Sequence, residues 1–297
     1  MSLGLILSLT AGLLWSFGNV LDKVSVTRII KHPIGLLYIY LTFSAVAGLV
    51  ILPLTTNVFV WHDAYRFAGV AVSYTLAMFF YFRAMQKEEP SRVVPLYALV
   101  VLFLSVFSAI FLGEIFNFVT YIAIVLLIVG TAGITSRGSI VSVFKSRALG
   151  LMIMSSLCYA TAYTLIKSLL GTYTPYDVFV YQRLFIAGIG LLLLPFVFRR
   201  LKTIVSAIPD RKLIGLSVVS ELLGETGGLL FVIASSVWYV TLVETAVNIE
   251  FVFIFIWGLV VTKFWPRLYT EGVDKKVILQ KAFSIALILI GIAIISR

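Results

Sequence analysis

Residues Ser220–Glu250 read SELLGETGGLLFVIASSVWYVTLVETAVNIE, two long apolar runs that hold four carboxylates, Glu221, Glu225, Glu244 and Glu250, with Asn248 among them. Apolar sequence continues on both sides of this stretch. Continuous apolar runs of about 20 residues cross the hydrocarbon core of a bilayer as helices. A carboxylate held at that depth costs roughly 2.5–3.5 kcal/mol on insertion scales. Four of the chain's 13 acidic residues sit in this stretch, so they need a reason to be there. The expectation is that they form, with the first half of the chain, a site for a cation or a polar solute.

Composition agrees with a membrane solvent. The 297 residues are 61% hydrophobic and 12% charged, with a mean hydropathy of +1.09. A soluble domain is about 45–50% apolar and about 25% charged, so the chain reads as an integral membrane protein. Its one cysteine, Cys158, excludes an internal disulfide and a thiolate metal site within the chain. His32 and His62 fall near predicted helix ends, which leaves no histidine metal cluster. The net charge of +10 matches an anionic bilayer surface and needs no nucleic acid. The first apolar run is too long for a cleaved leader and has no basic start, so it is expected to remain as a helix.

Ten apolar segments can be counted: 3–21, 34–54, 65–85, 92–112, 118–135, 148–170, 176–198, 213–235, 239–262 and 277–295. Pro, Gly or charge separates them, and none shows the period-2 alternation of barrel strands. The links after the first, third, fifth, seventh and ninth segments hold 19 of the 23 Lys and Arg residues. The positive-inside rule then puts those links in the cytoplasm and both termini outside, in the plasma membrane.

The halves resemble each other. At an offset of 144 residues, Trp15, Asn19 and Lys23 align with Tyr159, Tyr163 and Lys167. Both halves close alike, on Leu127-Ile128-Val129-Gly130 and on Ile288-Leu289-Ile290-Gly291. Five helices is an odd number, so the second copy enters the membrane upside down. Inverted repeats of this kind are a transporter signature and put the binding site near the midplane between them. The expected fold is therefore all-α, with ten transmembrane helices as two inverted repeats, residues 1–137 and 138–297.

Several motifs in order resemble the EamA-type family of the drug/metabolite transporter superfamily. They are Gly12-Leu13-Leu14-Trp15-Ser16-Phe17-Gly18-Asn19 with Lys23 beyond it, Tyr81-Phe82-Arg83-Ala84, Glu89-Pro90-Ser91 leading to Val94-Pro95-Leu96, and Leu112-Gly113-Glu114. The resemblance implies a ten-helix transporter with a central cavity for amino acids or other small metabolites. It also implies cytoplasmic termini, opposite to the charge count. The second copy departs from the pattern: at an offset of 149, Lys263 stands for Glu114 and Glu244 for Pro95.

Residue spacing nominates the site. Glu221 and Glu225 are one helical turn apart, about 6 Å on one face, so a cation between them or a proton on one is required. The bland alternative pairs Glu221 with Arg183. Glu244 and Asn248 share a stripe with Thr241, whereas Glu250 lies about 240° from Glu244 on a continuous helix and is expected to pack elsewhere. In the first half Trp15 and Asn19 share a face, as do Tyr74, Met78 and Tyr81. Aromatic walls beside an amide suit an amino-acid-like solute or an organic cation. Asp22 and Lys23 read as an interfacial pair, Arg83 and Lys167 as snorkelling side chains, and Glu114 as a structural cap or bridge.

The leading expectation is a secondary transporter of a small polar or amphipathic metabolite. Coupling to H⁺ or Na⁺ through Glu225 and Glu244 is part of it, with no other cofactor and no metal. Its expected partners are the solute and the bilayer. No phosphate-binding P-loop appears, nor an HExxH or a nucleophile elbow, which argues against an ATP-driven pump or a membrane enzyme using the paired carboxylates. A channel or passive subunit would not need a carboxylate cluster.

Overall fold

The computed structural model describes residues 2–25, 32–87, 93–135, 148–206, 214–264 and 275–295. Predictions that fall on the intervening links, including Glu89-Pro90-Ser91 and nine of the 19 basic residues behind the charge orientation, lie outside the described residues. The described residues are all-α, without strands.

Eleven α-helices follow in chain order: α1 (Leu3–Val24), α2 (Pro33–Ile51), α3 (Ala64–Lys87), α4 (Ala98–Phe111), α5 (Phe118–Thr135), α6 (Leu149–Leu169), α7 (Pro175–Ser206), α8 (Ile214–Val237), α9 (Val240–Val247), α10 (Glu250–Phe264) and α11 (Lys275–Ile295). Seven stretches among them are long and apolar enough to cross a membrane: 3–22, 33–54, 61–87, 149–169, 175–204, 215–237 and 240–260. Three shorter apolar helices accompany them, at 98–111, 118–133 and 279–295.

Two expectations on continuity fail. The fourth segment begins as a 3₁₀ turn at Val94–Tyr97 before α4 starts at Ala98, because Pro95 cannot donate an intrahelical hydrogen bond. The ninth segment is two helices, α9 and α10, broken at Asn248-Ile249. The separations at 113–114 and 235–236 are real. Gly113 adopts φ +69°, a left-handed turn that costs a glycine little. The α8–α9 break falls slightly later than expected, at Trp238-Tyr239.

Helices pair across the halves. α1 packs along α8, α3 along α6, α2 along α7 and α5 along α11. Each pair runs antiparallel, as its closest approaches show. Gly4 meets Trp238 while Gly18 meets Ser220; Gly48 meets Arg183 while Gly190 meets Leu41. Gly69 meets Leu165, and further along α3 the Ala77 carbonyl accepts from Ser155 Oγ at 2.9 Å. The two closing motifs also meet: a Cβ on Gly130 would lie 2.8 Å from the Ser284 carbonyl, and one on Gly291 would lie 2.7 Å from Leu127. Small residues at these seams let backbones approach where lipid supplies no hydrophobic drive.

The exterior is apolar. Leu191, Leu192 and Phe196 of α7 are 72%, 74% and 85% exposed, a lipid-facing surface rather than a soluble one. The buried polar residues gather inside, among them Asp177, Arg183, Glu225, Glu244 and Glu250.

Candidate functional site

A cavity runs between the two halves, walled by α1, α2, α3, the turn before α4, α6, α7, α8, α9 and the start of α10. Its lining includes Trp15, Asn19, Tyr74, Tyr81, Glu221, Glu225 and Glu244, so seven of the eight residues nominated from spacing share it. The eighth, Asn248, is not in the lining. α9 ends at Val247, so the i,i+4 geometry from Glu244 stops one residue short, and Asn248 Nδ2 is buried without a hydrogen-bond partner. Water centres can occupy about 140 Å³ of the cavity. One water needs roughly 10–15 Å³ on that measure, so the space suits one small organic solute.

The break at Asn248-Ile249 reverses one expectation. On a continuous helix Glu250 points away from Glu244; with α10 restarting at Glu250, both line the cavity. Asn19 Nδ2 donates to Glu250 Oε2 at 3.4 Å, a long contact. Glu244 Oε2 is buried without a hydrogen-bond partner, and Glu244 itself is 6% exposed. Discontinuous membrane helices commonly carry binding sites in transporters.

Arg183 resolves the pairing question in favour of Glu225. Its Nε lies 2.7 Å from Glu225 Oε2, its Nη1 donates to Tyr40 Oη at 3.1 Å, and its guanidinium sits 5.6 Å over the Tyr74 ring. Ser44 Oγ donates to Glu225 Oε1 at 2.9 Å. Glu221 is not in this pair; it stands nearer the exposed end, where it and Asp22 are half-buried. Asp22 lies inside the bundle, while the side chain of Lys23, its expected interfacial partner, lies outside the described residues. Asp22 Oδ1 lies 2.5 Å from Ser220 Oγ, and Asp22 lines the cavity. Trp15 is fixed by donation from Nε1 to the Gly224 carbonyl at 2.9 Å, and a Cβ on Gly227 would collide with its indole.

Further residues of the wall are not nominated by spacing within one helix. Tyr40, Tyr97, Tyr159 and Tyr163 join Tyr74 and Tyr81, with Tyr74 and Tyr159 edge to face at 5.7 Å. Tyr159 and Tyr163 align with Trp15 and Asn19 at the offset of 144 residues, which is the signal that could have found them. Tyr40 and Tyr97 carry no comparable signal.

An aromatic cluster packs where α3 and α7 begin. Phe59, Phe67, Tyr181 and Phe185 stack with ring centroids 5.3–5.9 Å apart. Asp177 accepts from the Thr56 and Asn57 amides at 2.8 and 3.3 Å, and Asp63 pairs with Arg66 while accepting from Tyr173 Oη at 2.8 Å. Glu114 caps α9, accepting from the Val240 amide at 3.0 Å and Thr241 Oγ1 at 3.1 Å. Lys167 does not snorkel outward; its Nζ donates to the carbonyls of Ser235 (2.6 Å) and Trp238 (2.9 Å) at the end of α8, which complements the helix dipole. Arg83 is exposed. No group of three or more His, Cys, Asp or Glu is arranged to hold a metal ion among the described residues.

An all-helical bundle with an apolar exterior and a charged, aromatic-walled chamber inside is a multi-pass membrane protein. Residues 2–136 match the EamA-like transporter family, a likeness that covers the first half of the chain. A solved crystal structure of a protein superposes with a TM-score of 0.68 at 15% identity, over 98% of this chain and 95% of that one; at that identity the likeness speaks for the fold alone. Comparison with curated proteins returned no match.

Proposed function

We propose that this protein is a secondary transporter whose ten membrane segments form two inverted five-helix repeats, residues 1–137 and 138–297. It moves a small polar or amphipathic metabolite, amino-acid-like or an organic cation, by alternating access, with H⁺ or Na⁺ coupling at the buried carboxylates. The observation that carries this reading is one cavity walled by both halves and holding buried carboxylates on a broken helix. The seven long apolar stretches and three shorter apolar helices supply the segments. The pairing supports inversion: in a parallel duplication α2 would run parallel to its equivalent α7, whereas the two are antiparallel, as are α5 and α11.

On the charge orientation, both termini are outside and the basic links are cytoplasmic, so the exposed end of the cavity, beside the last turns of α1 and α3, faces the cytoplasm. The family speaks for transport rather than catalysis. In proteoliposomes, Glu244→Gln and Glu225→Gln are expected to reduce solute flux while the variants stay monodisperse. Unchanged flux in both would overturn the site. A terminal tag inaccessible from outside intact cells would overturn the orientation.

A further inference from the structure

We infer that the cavity selects a small aromatic or otherwise amphipathic amine without a free carboxylate, held with its ammonium at Glu244. This deepens, and rests on, the reading of the cavity as the substrate site. Charge balance is the first argument. Among the described residues the lining holds five carboxyl groups, Asp22, Glu221, Glu225, Glu244 and Glu250, against one cationic side chain, Arg183. That guanidinium is already engaged by Glu225 at 2.7 Å and by Tyr40 at 3.1 Å. Among the described residues of the lining a substrate carboxylate finds no free cationic anchor; to reach Arg183 it must displace Glu225 from a buried pair. An amino acid therefore loses half of its recognition here.

Glu244 is the second argument. Asp22 and Glu250 have neutral donors in Ser220 and Asn19, and Glu225 has Arg183 and Ser44. Glu244 lines the same chamber with one carboxylate oxygen buried and unpartnered. An orphaned buried acceptor carries its full desolvation cost, and a ligand ammonium removes that cost. The third argument is the wall. Tyr74, Tyr159 and Tyr163, which line the same chamber as Glu244, stand with ring centroids 5.7–5.9 Å apart, and tyrosine faces attract organic cations. The same wall already accepts a guanidinium over the Tyr74 ring at 5.6 Å.

Three probes that share one ring and differ only in charge test this on the purified full-length protein in detergent: phenethylamine, phenylalanine and 3-phenylpropionate. Calorimetric titration is expected to rank phenethylamine at least about tenfold tighter than the other two. Glu244→Gln is expected to weaken it about tenfold or more and Glu244→Asp less, with ligand-free melting of both variants close to wild type. Phenylalanine or phenylpropionate binding as tightly as the amine overturns the inference, as does unchanged amine affinity in Glu244→Gln or no amine binding up to about 10 mM. The wild-type ranking decides the class even where Glu244→Gln does not fold. Flux of the same probes in proteoliposomes separates the two readings. Uptake of phenylalanine in preference to the amine refutes the amine class and leaves the transporter standing; amine binding without flux of any probe does the reverse.

Discussion

Replacing Arg183 with methionine isolates the electrostatics of the cavity floor. The Arg183–Glu225 pair is buried, with side chains 5% and 8% exposed, and its charges are 2.7 Å apart. At an effective dielectric constant of about 20, that separation corresponds to roughly 6 kcal/mol of gross attraction. Most of it offsets the cost of taking both ions out of water, so the net worth of the pair is small. Removing one partner is different, because Glu225 stays buried with only Ser44 to solvate it. Arg183→Met is expected to cost about 3–5 kcal/mol, as is Glu225→Leu, whereas the double variant should recover most of the loss. By the usual size scaling a single variant would fall on the order of 10 °C in melting temperature. The assay is a double-mutant cycle by thermal unfolding in detergent. Singles within about 1 kcal/mol of wild type, or a double variant as poor as their sum, would refute the reasoning.

Glu114→Ala removes the acceptor that caps α9 and should destabilise the fold by about 0.5–2 kcal/mol, while Glu114→Gln, which keeps a carbonyl oxygen, costs less; melting curves of both check this. Gly12→Ala places a Cβ 2.6 Å from the Val247 carbonyl and should cost about 1–3 kcal/mol by overpacking the α1–α9 seam, read as a lower melting temperature. His32 caps α2, its Nδ1 accepting from the Ile34 amide at 3.3 Å, and burial together with the nearby Arg200 and Arg83 lowers its pKa below the usual 6.5. The folded state thus binds this proton more weakly than the unfolded chain, so stability is full above the unfolded value and declines as the pH drops below about 6.5. His32→Asn, which keeps a side-chain capping acceptor but does not titrate, should flatten that part of the profile of melting temperature against pH.

What could be read in advance follows the physics that sets it. Segment length and hydrophobicity report burial in lipid directly, so nine of the expected apolar runs reappear as helices with ends shifted by a few residues or, in the fourth, by a 3₁₀ start. Glu225, Glu244, Trp15 and Tyr74 were legible because a polar or aromatic stripe at helical spacing must face something other than lipid. The failures share one cause. Glu250 was misassigned because face arithmetic assumes an unbroken helix, and nothing in Val247-Asn248-Ile249 announces a break as Pro95 does. Asp22 and Lys167 were placed at the interface because their partners, Ser220 and the Ser235 and Trp238 carbonyls, lie on a distant helix. Spacing along one element says which way a side chain points; it does not say what stands opposite.

The cross-pairing of the halves sets a timetable for biogenesis. α1 and α3 reach the bilayer early in synthesis, but their packing partners are α8 and α6, made only when residues 149–237 emerge. Until then Asp22 lacks Ser220, and Asn19 lacks Glu250 until α10 follows. A ribosome stalled between the halves therefore leaves a nascent chain with unsatisfied polar groups in the membrane, a natural client for insertion chaperones and quality-control proteases.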